Sequence, residues 1–219
     1  MFLPDLQPDQ LAELIPSHLN KPRYNIAPTQ SIACIGRPAT GQPRQLFFAR
    51  WGLLPSWASE LSMGARMINA RSETVESKPS FKHAFARRRC LIIADGYYEW
   101  LKTDDGKQPY LIGKRSGQPM ALAGLWETNK KLAIDGQPIT SCTILTTNAN
   151  RTTRDIHDRM PVILNDESQS TWLDPDCQDV GILKQLLVPA DEGVLETAMV
   201  SKHVNNARND DPKCVEVVS

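Results

Sequence analysis

A chain of 219 residues can bury a substantial core, and it is expected to fold as one domain spanning residues 1–219. Its 41% hydrophobic and 23% charged content is that of a soluble globular protein, and no apolar run reaches the about 20 residues a spanning helix needs. The opening MFLPDLQPDQ lacks a signal peptide's basic and apolar regions, so a cytoplasmic location and no membrane partner are expected, while a formal net charge of +0 excludes a uniformly basic or acidic chain.

In chain order, PDQLAELI (8–15) sets Leu11, Leu14 and Ile15 on one face of a short amphipathic helix. NKPRYNIAPTQ (20–30) reads as a loop, because its prolines and asparagines interrupt any period. SIACIG, QLFFARWGLL, RCLIIADGYYEWL, PYLIG, MALAGLW, CTILTT and VLETAMV read as strands. KPSFKHAFARRR (78–89), DESQSTWL and CQDVGILKQLL read as short helices. Many closely spaced strands with few helices exclude a doubly wound α/β fold, which requires alternation. The expected class is α+β: a strand-rich, distorted barrel-like sheet with a few short helices.

The zero net charge conceals a split. From Lys21 through Arg89 there are twelve Lys and Arg against Glu60, Glu73 and Glu76, an excess of nine positive charges. One basic face and an anionic partner, nucleic acid foremost, would explain this; so would a fold that intersperses the signs. The five cysteines (Cys34, Cys90, Cys142, Cys177 and Cys214) form no C-x-x-C pair. They are expected to be reduced thiols packed as small hydrophobes, with no metal centre and no cofactor.

Four polar clusters fall where strands end. In MINARSETV (67–75), Asn69 and Arg71 alternate with Ile68 and Ala70, so both polar groups share a face where they can hold a phosphate or carbonyl oxygen; an exposed edge strand would look the same. In ADGYYEW (94–100), Glu99 sits among Tyr97, Tyr98 and Trp100. Desolvation by rings would make it a proton donor or acceptor near neutrality, whereas outward alternation would leave it an ordinary solvated acid. Asp95-Gly96 signals a turn, which places Glu99 just past a tight bend. In RDIHDRMPV (154–162), His157 lies among Asp155, Asp158 and Arg159 and is an acid–base candidate, although single histidines are more often structural. VSKHVNNARNDDPKCVEV (200–217) reads as an irregular loop stitched by side-chain-to-backbone bonds, scaffolding rather than chemistry; His18, His83 and His203 suggest nothing specific. Among the tryptophans, core packing explains Trp126 and Trp172 better than Trp51 and Trp57, which border Gly and Pro. Unpaired bases stack on rings of the latter kind.

Taken together, PRYNIAPTQ, RWGLLPSWA, INARSETV, RRRCLIIADGYYEW, LAGLWE, TILTTNAN, IHDRMPVIL and VNNARND resemble the SOS-response-associated peptidase family, in family order and over nearly all the chain after residue 20. The resemblance implies a barrel-like α+β domain that shields abasic sites in single-stranded DNA, with lyase and self-cleaving peptidase activity. It implies a nucleoid-associated monomer. It places Asn69, Glu99 and His157 in the catalytic site, and Arg71, Trp51, Trp100 and Arg159 at the DNA.

The family's chemistry uses an N-terminal cysteine whose α-amine forms a Schiff base with the abasic aldehyde and whose thiol closes a thiazolidine. Glu99 would move protons at the amine and His157 at the sugar oxygens, with Asn69 and Arg71 positioning the backbone. Here Met1 is followed by Phe2, Leu3 and Pro4, and no Cys-Gly-Arg triplet occurs. Either the recorded sequence starts late, at an internal Met, or the chain begins at Met1 and acts as a non-covalent single-strand-binding module or forms only a reversible Schiff base. A third reading, a cysteine peptidase built on Cys90 with His157 as base and Arg88 and Arg89 favouring the thiolate, is also expressible in these residues.

Overall fold

A computed structural model of the chain describes residues 22–39 and 41–218. The helix expected over 8–15 and His18 lie outside the described residues. The elements are β1 (Ser31–Gly36), β2 (Gln45–Trp51), β3 (Asn69–Arg71), α1 (Lys82–Arg87), β4 (Arg89–Ala94), β5 (Gly96–Thr103), β6 (Gly106–Lys114), β7 (Met120–Ile134), β8 (Gln137–Asn148), β9 (Arg159–Pro161), α2 (Asp166–Leu173), α3 (Val180–Gln185) and β10 (Leu195–Met199).

The apolar runs of β4 and β7 are continuous because both faces of these strands are covered. Cys90, Ile92, Met120 and Leu122 point to one cluster with Cys34, Cys142 and Met160. The intervening Leu91, Ala121, Ala123 and Leu125 point to another with Phe85, Trp172 and Leu183 of the helices. The first cluster fills a barrel: the strands run β2-β1-β4-β7-β8, and β2 returns to pair in parallel with β8 at Arg50–Ser141 and Trp51–Cys142. β3 joins β8 in parallel and β9 joins it antiparallel, extending the same sheet beyond the closed ring. A separate antiparallel sheet has the order β10-β6-β5. The expected α+β barrel-like class therefore holds.

Three local expectations are corrected. RCLIIADGYYEWL is two strands in two sheets, parted at Asp95, so Glu99 is mid-strand opposite Tyr110 and not just past a turn. MALAGLW and CTILTT are the inner halves of one long hairpin that turns at Asp135 and Gly136, both with positive φ (49° and 76°). The Cys90 peptidase reading fails: Cys90 is 0% exposed inside the barrel, and burial pushes its thiol up. Arg88 is engaged by Glu127 at 2.9 Å, and Arg89 spends its guanidinium on backbone carbonyls, so neither serves a thiolate.

The segment between β2 and β3 is held by a backbone contact that only glycine permits. Gly52 has φ +128°, and a Cβ there would lie 2.6 Å from the Gly64 oxygen; a Cβ on Gly64 would lie 2.7 Å from the Gly52 oxygen. Neither neighbour is a side chain that can swing away. Gly64→Ala is expected to cost about 1–3 kcal/mol of stability in urea titration, with unchanged m-value; a cost near zero would mean the segment shifts freely.

Candidate functional site

β5 is an edge strand, and its alternation divides the aromatic stretch into two faces. Tyr98 and Trp100 point to the C-terminal loop. Tyr98 packs on Val200, Val204 and Cys214 and its hydroxyl donates to the Tyr24 carbonyl at 2.6 Å; the Trp100 indole donates to Asn205 Oδ1 at 2.8 Å. Tyr97 and Glu99 share the opposite face. Tyr97 packs against the barrel cluster, as Trp51 and Ile156 also do, and its hydroxyl is buried without a partner among the described residues. Burial first, and then the Glu99 charge, push the Tyr97 phenol well up.

Glu99 stands in an environment that strains its charge. Burial holds its carboxyl above the usual range, His157 pulls it down, and Asp158 pushes it up again. The structure thereby brings Glu99 and His157 into one electrostatic neighbourhood across 58 residues of sequence. His157 is built into the turn before β9. Its backbone N–H donates to the Thr153 carbonyl at 3.0 Å, and its Nδ1 accepts the Arg159 backbone N–H at 3.0 Å. Nδ1 also lies 3.3 Å from the Arg159 carbonyl, so this edge of the ring is held against the β9 backbone. The side chain is 44% exposed, so the ring is reachable by a ligand, and Asp158 Oδ1 lies 3.3 Å from Nδ1.

β3 carries the other two polar groups expected at the site. Ala70 is buried while Asn69 and Arg71 are exposed on its flanks, which is the alternation the sequence implied. Arg71 lies beside Glu73, whose carboxyl is held low chiefly by the hydrogen-bonded Arg159 guanidinium. Arg159 grips Glu73 with both ends, at 2.7 and 2.9 Å, and also donates to Asn148 Oδ1 at 2.9 Å and the Thr146 carbonyl at 2.6 Å. It thus locks β9, β8 and the turn after β3 together, and its charge is largely engaged within the fold. Asn69 makes no side-chain hydrogen bond among the described residues. Its neighbour Ile68 offers its carbonyl to the Trp51 indole at 2.9 Å, tying the start of β3 to the end of β2.

The tryptophans separate. Trp51 is half-buried and pinned by its indole, whereas Trp57 is 50% exposed and Trp100 is braced on the loop by Asn205. The basic excess over 21–89 is partly spent inside the fold, on Asp210 by Arg23, on Glu127 by Arg88 and on carbonyls by Arg89. Sequence reasoning missed Asp158 as a modifier of Glu99 and the unpartnered Tyr97 hydroxyl. The i, i+2 spacing of Tyr97 and Glu99 was the available signal for the latter.

The model of the family described as SOS response associated peptidase (SRAP) matches residues 5–207. The chain is 42% identical over 205 residues to abasic site processing protein YoqW of Bacillus subtilis (strain 168), covering 93% of this chain and 90% of that protein. It is 33% identical over 227 residues to abasic site processing protein HMCES of Gallus gallus, covering 89% of this chain and 66% of that one. A solved structure of a protein from Bacteroides thetaiotaomicron superposes with a TM-score of 0.74 at 27% identity, over 87% of this chain and 82% of that one.

Proposed function

Because the chain belongs to the SOS response associated peptidase family, we propose that it processes abasic sites in DNA, capturing the ring-opened sugar of a single strand at the barrel mouth between β3, β5 and the turn before β9. The observation that carries this reading is the buried carboxyl of Glu99 in the field of His157 and Asp158. An aldehyde that condenses with a primary amine loses one water: the amine nitrogen attacks carbon, one of its protons passes to the carbonyl oxygen to give a carbinolamine, and the second leaves with that hydroxyl as water, so the imine remains. A carboxyl with a raised pKa can take a proton from nitrogen and return it, and the His157 ring can donate to a sugar oxygen. Arg71 and Asn69 on the exposed flank of β3 suit the phosphate and sugar of the strand, and Trp57 and Trp100 offer rings for neighbouring bases.

In this reading the amine and thiol belong to a leading cysteine. The thiol adds to the imine carbon and its proton goes to nitrogen, closing a thiazolidine and leaving a durable crosslink. Lyase and self-cleaving peptidase activity would follow from the same proton-transfer groups. A second reading, non-covalent binding of single-stranded DNA, needs neither the amine nor the thiol and rests on the exposed Trp57 ring and the basic side chains alone.

One experiment separates the two. The chain as sequenced, and the same chain led by Met-Cys-Gly-Arg, are incubated with a single-stranded oligonucleotide bearing one abasic site and run on a denaturing gel. The cysteine-led chain is expected to give a shifted, denaturation-resistant band. The chain as sequenced is expected to bind without one, with log affinity falling by about 0.7 per contacted phosphate as log salt rises. Absence of both the band and the salt-dependent binding would overturn the proposal.

A further inference from the structure

The loop from Ser201 to Glu216, expected as scaffolding, also concentrates metal-ligand chemistry. It is closed at its base by the Val200–Val217 bridge and by Ser201 N–H donating to Glu216 O at 3.1 Å. Within it, one ligand atom each from His203, Asp211 and Cys214 lies within 4.8 Å of the others, the only such group of three among the described residues. His203 Nε2 is 3.0 Å from Asp211 Oδ2, and Cys214 is fully buried with its Sγ 3.5 Å from the Asn209 carbonyl. The positions are fixed by short local bonds. Asp211 Oδ1 caps Lys213 N–H at 2.9 Å, Cys214 N–H donates to Asp211 O at 3.0 Å, and Ser201 Oγ accepts from His203 N–H at 3.2 Å.

A Cys–His–Asp trio first suggests a nucleophilic triad, and the geometry rejects it. Both ring nitrogens are engaged elsewhere, Nε2 by Asp211 and Nδ1 by the Asn209 amide at 3.1 Å, and the thiol is sealed from any substrate. We infer instead that His203, Asp211 and Cys214 form a site for one thiophilic divalent cation, zinc by the chemistry of the donors. One sulfur, one imidazole nitrogen and one carboxylate oxygen make a borderline-soft set that excludes magnesium and calcium. Tetrahedral bonds of about 2.0–2.3 Å put ligands roughly 3.4–3.7 Å apart, so the trio needs to contract by only about 1 Å.

The charges balance at a divalent ion. The Cys214 thiol releases one proton to solvent, Asp211 is already ionised, and the imidazole shifts its hydrogen from Nε2 to Nδ1 without net loss. The +2 of the ion then meets one thiolate and one carboxylate. Water fills the fourth position.

Such an ion would tighten more than its own loop. Asp210, next to the ligand Asp211, accepts from the Tyr24 and Asn25 amides at 2.6 and 2.9 Å, and Tyr98 of β5 donates to the Tyr24 carbonyl.

The test is a cobalt(II) titration of the full, reduced, chelator-stripped chain, followed by its near-ultraviolet thiolate-to-cobalt band, with zinc competition and native mass spectrometry for stoichiometry. A band saturating at one equivalent and displaced by zinc is expected, together with its loss in Cys214→Ser. Because Cys214 is buried, the exposed-side variants His203→Ala and Asp211→Asn carry the proposal independently. Each is expected to weaken cobalt binding by roughly tenfold or more while circular dichroism is unchanged. The site is overturned if no saturable band appears, if the band survives Cys214→Ser, or if both exposed-side variants bind as the parent does.

Discussion

Glu99→Gln is expected to slow formation of the denaturation-resistant complex by the cysteine-led chain about 10²–10⁴-fold, the range in which a positioned acid–base group contributes. The amide keeps the shape and the hydrogen-bonding capacity, so single-strand affinity should be nearly unchanged. The parent's rate should fall as pH drops through the Glu99 pKa, which burial places above the ordinary carboxylate range. That acidic limb should vanish in the variant.

Stability supplies an independent check with a definite sign. The native state holds the Glu99 proton more tightly than the unfolded chain does, so stability falls as pH rises from the ordinary carboxylate pKa to the raised one. The cost is absent below this window and complete above it. Glu99→Gln should therefore match the parent in acid and exceed it at neutral pH. A variant that loses stability at neutral pH, or captures the aldehyde at the parental rate, would remove Glu99 from the chemistry.

Arg89→Met is expected to cost about 3–5 kcal/mol, because it leaves several buried carbonyls without a donor, each at about 1–3 kcal/mol and partly offset by relaxation. Arg89 is 6% exposed and meets no carboxylate there. Its guanidinium donates to the Phe85 and Ala86 carbonyls at 2.9 Å, to Trp172 O at 2.7 Å, to Cys177 O at 3.0 Å and to Asp174 O. These are the frayed carbonyl ends of α1 and α2, where a cation also meets the negative end of each helix dipole. Methionine fills most of the volume and satisfies none of the carbonyls. Arg89→Lys should recover only part of the loss, since three donors replace a five-donor fork. Urea titration decides it: a cost below about 1 kcal/mol would mean that water replaces the guanidinium at these helix ends.

Much of the fold is legible because local pattern and tertiary burial agree. DESQSTWL became α2 over the same residues, with Asn165 capping Ser168 N–H as its composition suggests. What escaped reading depends on pairing between distant residues. Nothing in ARWGLL says that Trp51 will lie beside Cys142, and the polar ETNKK stretch hides the outer half of β7. There, Asn129 is fully buried and satisfied by Pro55 and Ala58 carbonyls, a tertiary match that no window can show.

The candidate site divides the same way. Asn69, Arg71, Glu99 and His157 were each visible as polar groups at strand ends. The influence of Asp158 on Glu99 was not, because it arises only once the turn before β9 folds over β5. Trp51 reads as loop-bordering, and β2 does end there, three residues short of the expected QLFFARWGLL strand, yet its indole is anchored on the Ile68 carbonyl.

The ring of strands is sealed by two register pairs, Arg50–Ser141 and Trp51–Cys142, that join points some ninety positions apart along the polypeptide. Of the strand pairings around the ring this one spans the longest stretch of chain, which makes it the clasp of the structure and the pairing with the largest loop-closure cost. Since Trp51 is itself part of the clasp, loosening it would also disturb the apolar cluster on which Tyr97 packs.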